Sequence, residues 1–286
     1  MRVSLPARLV EQAREFAEGR RTPAEPRNAA TVILMRPGAD ERAGPELYLL
    51  RRQASMAFAG GMCVFPGGGV DPRDFDSAVA WSGPTTTAWA DQLQTSEAMA
   101  RALVCAAVRE TFEESGVLLA GLSATDVVAD TTGADWEADR QALEAKDLSF
   151  TAFLDRRGLV LRADLLGAWS AWCTPEFEPR RFRTWFFVAA LPPGQRTRDV
   201  SSESSSVFWM SALGACDAVD AHELGMMPPT YLTCLEIAQH ASPTEVLAAA
   251  PERVVEMFTP AVEGTGDEAT LSVPPRFASM VEARRR

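Results

Sequence analysis

The sequence predicts a mixed α/β or α+β sandwich built as one decorated domain. Strand-like and helix-like segments alternate along the chain, which favours a layered fold over an all-helical bundle. The 286 residues are enough to bury a large core without disulfides or structural metals. Hydrophobic residues make up 47% and charged residues 23% of the chain, as in ordinary globular proteins and unlike disordered or fibrous ones.

The first half of the chain begins with a helical pattern and continues with short strands. Apolar residues recur with helical spacing up to Gly19, which predicts that the first helix ends there. Two apolar runs then flank the turn-rich segment PGADERAGP, a pattern typical of a hairpin. The predicted elements are a helix at 5–20, strands at 31–35, 46–50 and 62–65, and a helix from Ser96 or Glu97 to Ser115.

The second half alternates strands and helices around polar connections. The aromatic and β-branched run RFRTWFFVAAL predicts a strand, and the serine-rich run that follows it predicts a solvated loop. The predicted elements are a helix near 135–154, a strand at 181–191, a loop at 201–206, a strand at 207–210, helices at 227–239 and 244–258, and a short hairpin near 260–274.

Changes in composition predict how the domain is organised. A helix and a Pro-containing linker occupy 1–26, and the main domain covers 27–245. Polar stretches near 75–101 and 120–165 are interpreted as insertions in the main domain. The last segment, 246–286, is predicted to be a helical and hairpin extension packed on the same domain.

Charge and cysteine content exclude several functional classes. The formal net charge of −11 disfavours a nucleic-acid partner or an anionic membrane surface, because the long-range field repels phosphates. A phosphate substrate would therefore need positive charge within its own site. The five cysteines form no CxxC pair and only two histidines are present, which argues against structural zinc. The chain shows no secretory core and no membrane-spanning run, so we expect a cytoplasmic protein.

The segment ARALVCAAVRETFEESGV at 100–117 carries the strongest chemical signal. On a helix, Glu110, Glu113 and Glu114 share one face, while Val108 and Phe112 fall on the opposite side. Like charges three and four residues apart repel each other and destabilise a helix. A solvated helix face usually interleaves basic residues, and this face has none, so we expect another group to neutralise the carboxylates.

A hard divalent cation would do so, because Mg²⁺ and Mn²⁺ prefer carboxylate oxygens and leave positions open for phosphate. The turn FPGGGVD at 65–71 supplies a second clue. Its glycines either let the backbone approach a ligand closely or allow positive φ in a tight turn. Arg109 stands beside the acidic face and is expected to pair with a carboxylate from this loop.

These residues resemble the signature of the Nudix hydrolases, G-x5-E-x7-R-E-U-x-E-E-x-G-U, where U is aliphatic. The end of that signature runs from Arg109 to Val117, and only Thr111 departs from the preferred aliphatic type. Upstream, Gly68 followed by five residues leads to Asp74, a shorter carboxylate at the position of the first glutamate. The resemblance implies the Nudix fold, an α/β/α sandwich around a mixed sheet with helical insertions.

The spacing also resembles one subgroup of this family. The 34 residues from 75 to 108 stand where the signature has seven, and such an insertion looks like that of the peroxisomal coenzyme A diphosphatases. A companion coenzyme A motif is partly kept: Arg52, Gly61 and the FPGG at 65–68 fit it. Ala57 replaces its second arginine, and Gln53 replaces a small residue.

The resemblance implies metal-dependent hydrolysis of a nucleoside diphosphate linked to another group. The favoured substrate is coenzyme A or acyl-coenzyme A, cut to 3′,5′-ADP and 4′-phosphopantetheine products, with Mg²⁺ or Mn²⁺ as cofactor. The partner is a small molecule rather than nucleic acid or membrane, and a homodimer is expected by resemblance only. The expected catalytic residues are Glu110, Glu113, Glu114 and Glu203, of which the first three also hold the metal.

The remaining site residues have supporting roles. Those expected to contact substrate are Gly67, Gly68, Gly69, Arg52 and Arg181. Those expected to support the motif structurally are Asp74, Arg109 and Gly116. Arg180 and Arg183 stand beside Arg181, and together the three could hold a second phosphate or form an exposed, charged strand edge.

Other interpretations stay open at this point. The substrate could be ADP-ribose or NADH, or the fold could serve as a ligand-binding module without turnover. The glutamates could be a solvated helix face, the glycines a plain turn, and Glu203 a solvated residue in a serine-rich loop. The retained carboxylates argue against a silent module, because a cluster of like charges costs stability.

Overall fold

The computed structural model describes residues 6–39, 44–56, 59–264 and 269–284. Within these residues the helices are α1 (Ala7–Ala17), α2 (Thr86–Leu93), α3 (Glu97–Ser115), α4 (Ala134–Glu144), α5 (Phe150–Arg157), α6 (Ala212–Asp220), α7 (Pro228–Ile237), α8 (Pro243–Ala249) and α9 (Ala278–Ala283). The strands are β1 (Arg27–Pro37), β2 (Pro45–Arg52), β3 (Cys63–Val64), β4 (Gly67–Gly69), β5 (Trp81–Ser82), β6 (Ala120–Gly121), β7 (Val160–Arg162), β8 (Leu166–Cys173), β9 (Phe182–Ala190), β10 (Ser204–Ser211), β11 (Met257–Phe258), β12 (Val262–Glu263) and β13 (Thr270–Leu271).

One mixed sheet organises the protein. Its strand order is β10-β2-β1-β9-β8-β11, with β3 paired to β2 and β4 paired to β1. Strand β1 runs parallel to β9 and antiparallel to both β2 and β4. Because β4 is short, it covers only the first part of β1, and β2 pairs with the last part. The glycine-rich β4 therefore lies beside the start of the central strand.

The central strand is buried on both faces. Val32 and Leu34 belong to one hydrophobic cluster, whereas Ile33 and Met35 belong to the other. This alternation explains why TVILM is apolar without interruption, since a strand between two layers has no solvent face. The cluster on one side includes α3, and the cluster on the other includes α6 and α7. The predicted α/β/α sandwich around a mixed sheet is confirmed.

Helix α3 lies within the first layer, packed on the sheet. Ser96 caps it, because its side chain accepts a hydrogen bond from the Met99 N–H at 3.2 Å. Gly116 ends it in the left-handed conformation, with φ at 73°. Most of the helix is buried, including Cys105, Val108 and Phe112. A capped and buried helix fixes the backbone positions of its glutamates beside β4.

Three predicted elements differ from the structure. The helix predicted near 135–154 is two helices, α4 and α5, separated by Lys146, which has φ at 62°. Ser149 then caps α5 by accepting the Ala152 N–H at 3.2 Å. The loop predicted at 201–206 is strand from Ser204 onward, because Ser204 pairs with Arg52 of β2.

The helix predicted at 244–258 is also shorter. Helix α8 ends at Ala249, and Pro251 follows in a short 3-10 turn. Proline has no N–H to continue the helical hydrogen bonds, so the chain leaves the helix and reaches β11 in an extended form. The hairpin predicted near 260–274 is formed by β12 and β13.

The polar stretches interpreted as insertions contain regular structure. The stretch near 75–101 includes β5 and α2, and the stretch near 120–165 includes β6, α4, α5 and β7. Strands from both stretches form a second small sheet in the order β5-β7-β6. Among the described helices, none is long and apolar enough to span a bilayer.

Candidate active site

Arg109 is the central ion-pairing residue of the site. Its Nε and Nη2 donate to the two carboxylate oxygens of Asp74 at 3.1 and 3.0 Å, and Nη2 also donates to the Gly69 carbonyl at 3.0 Å. Its Nη1 donates to Glu110 at 2.8 Å and to Glu113 at 3.1 Å. One guanidinium thus connects α3 to β4 and to the turn that follows it.

Asp74 is buried and holds that turn in shape. It lies in a 3-10 turn, Pro72–Phe75, where its Oδ2 accepts the Asp71 N–H at 2.8 Å. The Asp71 side chain in turn accepts the Arg73 N–H at 2.9 Å. This reciprocal capping fixes the carboxylate that faces Arg109. A shorter Asp at the first glutamate position therefore still reaches the guanidinium.

Close packing explains the glycines of β4. A Cβ at Gly67 would lie 2.5 Å from the Ala30 carbonyl oxygen, and a Cβ at Gly68 would lie 2.5 Å from the Glu110 carboxylate. Neither residue has a positive φ. Of the two explanations that the sequence left open, positive φ does not apply at these two positions, and the groups that the glycines approach here belong to the protein itself, including the carboxylate of Glu110.

The three glutamates of α3 have unusual electrostatics. Burial raises the pKa of Glu110 to about 7 and raises the pKa of Glu114 well above its ordinary value. Burial also raises the pKa of Glu113. The Gly67 N–H donates to Glu114 at 2.7 Å, which favours the charged form but does not offset its burial. Ionising all three leaves negative charge that the surrounding side chains do not balance.

The donor set fits a hard divalent cation in its chemistry. Carboxylate oxygens are the preferred ligands of such ions, and the raised pKa values mark uncompensated charge that a cation would relieve. Over the described ranges, no three acidic, His or Cys side chains already converge on one point. Glu113 is turned toward Arg109 and Glu114 toward the backbone of β4, so binding would redirect these side chains.

A cavity of about 1070 Å³ opens next to the glutamates. Its walls contain the expected metal ligands, all three glycines of β4, and both Arg52 and Glu203. Apolar side chains line another part of it: Phe65, Trp172, Phe186, Met227 and Leu271. The site thus combines a charged region with a large apolar surface.

Glu203 and Arg52 stand together at the rim. The Arg52 Nη2 lies 3.0 Å from the Glu203 Oε2, and the Glu203 side chain is 53% exposed. The Gln53 N–H also donates to the Glu203 carbonyl at 3.0 Å. Glu203 is therefore held at the start of β10, facing the same cavity as α3. Ala57, the departure from the companion motif, lies outside the described residues.

The structure separates the three neighbouring arginines. Arg181 donates to the carbonyls of Thr174 and Ala24, each at 3.0 Å, and does not line the cavity. Arg183 pairs with Glu25 at 2.8 Å. Arg180 is exposed and lines the cavity. Of the three, Arg180 is the one placed to meet a substrate.

A second charged group at the end of α3 was not predicted. We call it the arginine network, and its members are Glu137, Arg140, Glu144 and Arg198. Arg140 donates to the Glu113 carbonyl at 2.7 Å, and a Cβ at Gly116 would lie 2.7 Å from the Arg198 guanidinium. The network therefore fixes the end of α3. No motif marks it, because its members are up to 61 residues apart.

Comparison with known proteins identifies the family. The NUDT19 Nudix domain matches residues 82–237, which is more than half of the chain. The chain belongs to this Nudix family. The "Putative nudix hydrolase 7" of Caenorhabditis elegans is 26% identical over 218 residues, covering 74% of this chain and 61% of that protein. The "Acyl-coenzyme A diphosphatase NUDT19" of Xenopus laevis is 25% identical over 236 residues, covering 70% and 62%.

A solved structure supports the same fold. The Nudix hydrolase from Alicyclobacillus acidocaldarius superposes with a TM-score of 0.69 at 24% identity, covering 81% of this chain and 98% of that one. The predicted resemblance to the Nudix hydrolases and to the coenzyme A diphosphatase subgroup is confirmed. The chain spans about three fifths of the length of the two relatives above.

Proposed function

We propose that this Nudix protein hydrolyses the diphosphate of coenzyme A or acyl-coenzyme A. Water would add to one phosphorus as the bridging P–O bond breaks, giving 3′,5′-ADP and a 4′-phosphopantetheine product. The observation that carries the proposal is the carboxylate set of α3, short of positive charge, on the wall of the 1070 Å³ cavity. Relatives from Xenopus laevis and Gallus gallus bear the name acyl-coenzyme A diphosphatase.

The cofactor we propose is Mg²⁺ or Mn²⁺, held by Glu110, Glu113 and Glu114. Nudix hydrolases generally use divalent metal ions. When bound, such an ion neutralises the diphosphate and makes water more acidic. Arg109 keeps α3 against β4, so the helix that carries the carboxylates stays in a fixed position relative to the glycine strand.

Glu203 is our candidate for the general base. Its carboxylate is exposed within the cavity, so it can reach water, and its pairing with Arg52 limits where it can point. Glu203 and Glu114 line the same cavity, and the negative charge of Glu203 is among the causes that raise the pKa of Glu114. In this arrangement Glu203 removes the proton from the attacking water while the α3 carboxylates keep their charge.

The size and lining of the cavity support a large, two-part substrate. Ligand pockets commonly measure about 300–1,000 Å³, so this cavity is at the upper end of that range. Its apolar wall, which includes Trp172 and Phe186, suits the pantetheine arm and an acyl chain. The homodimer and the cytoplasmic location expected from the sequence stay predictions.

A hydrolysis panel tests this proposal. The panel contains coenzyme A, an acyl-coenzyme A, ADP-ribose, NADH and a diadenosine polyphosphate, each with and without Mg²⁺ or Mn²⁺, with products separated by chromatography. We expect metal-dependent release of 3′,5′-ADP, fastest from the coenzyme A compounds. Faster hydrolysis of ADP-ribose or NADH would contradict coenzyme A as the substrate and keep the diphosphate chemistry. Absence of turnover with every compound would contradict the proposed activity.

A further inference from the structure

Two arginines from distant parts of the chain line the same cavity from neighbouring segments of backbone. Arg27 begins β1 and Arg180 lies just before β9, and both line the cavity. The parallel pairing of these strands places Arg27 opposite Phe182, and the Arg27 N–H donates to the Arg181 carbonyl at 2.9 Å. The backbones that carry the two guanidinium groups are therefore adjacent.

These two side chains are exposed and lack an ion-pair partner among the described residues, as does Lys146 of the cavity wall, whereas Arg109 and Arg52 are paired. Arg109 is surrounded by carboxylates and Arg52 is paired with Glu203. Arg27 and Arg180 have no carboxylate partner among the residues described here. Asp71 lies in the same cavity but pairs with Arg73 at 2.9 Å. The two arginines are free to meet an anion.

Their position relative to the glutamates follows from the sheet register. Ala30 of β1 pairs with Gly68, and Gly68 lies against the Glu110 carboxylate. Arg27 is three residues before Ala30 on the same strand, or about 10 Å along it. The arginines thus line the same cavity as the α3 carboxylates without contacting them. Their long side chains can extend over part of the distance between the two groups.

We infer that Arg27 and Arg180 bind the ribose 3′-phosphate of a coenzyme A substrate and set the preference for it. The inference rests on the proposed function. A phosphate monoester is close to a dianion at neutral pH and accepts hydrogen bonds from the fork of an arginine side chain. In coenzyme A this group lies one ribose away from the diphosphate that is cut, whereas ADP-ribose and NADH lack it.

The charge of the chain favours such a local site. A net charge of −11 repels a polyanionic substrate at long range, so positive charge within the cavity is needed to bind it. Arg181 supports the arrangement without taking part in it. By holding the Thr174 and Ala24 carbonyls, it fixes the backbone next to Arg180.

The test compares coenzyme A with 3′-dephospho-coenzyme A, which differs only in this phosphate. We expect Arg27→Ala and Arg180→Ala each to lower kcat/KM for coenzyme A about tenfold, as for loss of a charged hydrogen bond. The value for 3′-dephospho-coenzyme A should stay unchanged. Calorimetric binding of 3′,5′-ADP against 5′-AMP to the same variants gives a second readout that needs no turnover.

Arg36→Ala is the matched control. It removes the same charge from the same strand, nine residues from Arg27 and outside the cavity, so the preference should persist. Equal losses for both substrates, or no loss for either, would overturn the subsite while coenzyme A hydrolysis by the wild type stands. Wild-type protein that cuts neither compound would overturn the proposed function, and the subsite with it.

Discussion

Two charged groups contact α3, one beside β4 and one at the carboxyl end of the helix, and they use the same residue types with opposite electrostatic results. The first, which we call the acidic cluster, contains Asp74, Glu110, Glu113 and Glu114. Among the described residues, Arg109 is the one cation that forms an ion pair with these carboxylates. The second is the arginine network, in which two arginines are shared by two glutamates.

The pKa directions make the contrast clear. A hydrogen bond from Arg140 leads the interactions that lower the pKa of Glu137 to about 2. In the acidic cluster, burial instead raises the pKa of Glu110 to about 7. Glu137 is more exposed and receives a second hydrogen bond, from Arg198 at 2.7 Å. The two groups therefore differ in how many cations pair with their carboxylates and in how deeply those carboxylates are buried. This difference distinguishes a structural ion network from a site that can bind a metal.

The largest expected effect comes from removing a charge of the acidic cluster. Glu114→Gln should lower kcat by about a thousandfold, because the cluster would hold its cation less well at the reacting diphosphate. Its fold should be kept, since Gln retains the shape and the side-chain oxygen that accepts from Gly67. Steady-state kinetics measure kcat, and circular dichroism measures whether the fold is kept. Glu113→Gln should behave in the same way. Unchanged rates in both variants would contradict a metal site in this cluster.

Glu203→Gln should have the next largest effect, and it tests the role of the carboxylate at the rim of the cavity. Loss of a general base lowers kcat by about a hundredfold and leaves KM nearly unchanged. Glu144→Gln is a nearby comparison, since Glu144 lines the cavity but is bonded to Arg140 and Ser202. If Glu203→Gln keeps the wild-type kcat, the base is another residue.

Removing a charge of the arginine network should affect stability instead. Glu137→Gln weakens the pairing of the buried Arg140 and of Arg198, which we expect to cost about 2 kcal/mol of unfolding free energy at neutral pH. Its kcat should stay close to that of the wild type below the unfolding temperature. Chemical denaturation and kinetics on one sample distinguish the two effects. A Glu137→Gln variant that is stable but inactive would contradict a purely structural role for the arginine network.

The last prediction is a pH dependence of opposite sign in the two groups. The folded pKa of Glu110 is above its ordinary 4.5, so its stabilising protonation is present below pH 4.5 and is lost as pH rises toward 7. Without metal, this should lower the unfolding free energy by on the order of 2 kcal/mol. Glu137 acts in reverse: its contribution is present above pH 4.5 and is lost as pH falls toward 2.

Denaturation in a chelator at several pH values measures both signs. Glu110→Gln should be less destabilised than the wild type between pH 5 and pH 8, whereas Glu137→Gln should keep the wild-type slope in that window. A wild-type protein whose metal-free stability rises over the same range, with Glu110→Gln following it, would contradict the assignment of uncompensated charge to the acidic cluster.

The sequence predicts the elements whose signals are local. The apolar run of β1, the serine cap of α3 and the spacing of its glutamates are each written within about twenty residues. The break at Lys146 was missed because a left-handed residue other than glycine gives little sequence signal. Pro251 did carry a signal, and the predicted helix ran past it.

Long-range pairing explains most of what the sequence could not predict. The backbone at Arg27 lies near the backbone at Arg180 only because β1 and β9 pair in parallel across more than 150 residues. The same strand pairing brings Arg181 and Arg183 to the segment before β1, where Arg181 donates to the Ala24 carbonyl and Arg183 pairs with Glu25. Arg180 makes no such contact and lines the cavity. A run of arginines predicts positive charge, but the partners of each one depend on the sheet.

The most direct test of the central claim is calorimetric titration of Mn²⁺ or Mg²⁺ near pH 7, in buffers with different heats of ionisation. We expect binding that releases protons, because the cation displaces them from carboxylates with raised pKa values. Binding and proton release should be lost in Glu110→Gln and kept in Glu137→Gln. Binding that survives in Glu110→Gln and Glu114→Gln, or no binding by the wild type, would contradict it.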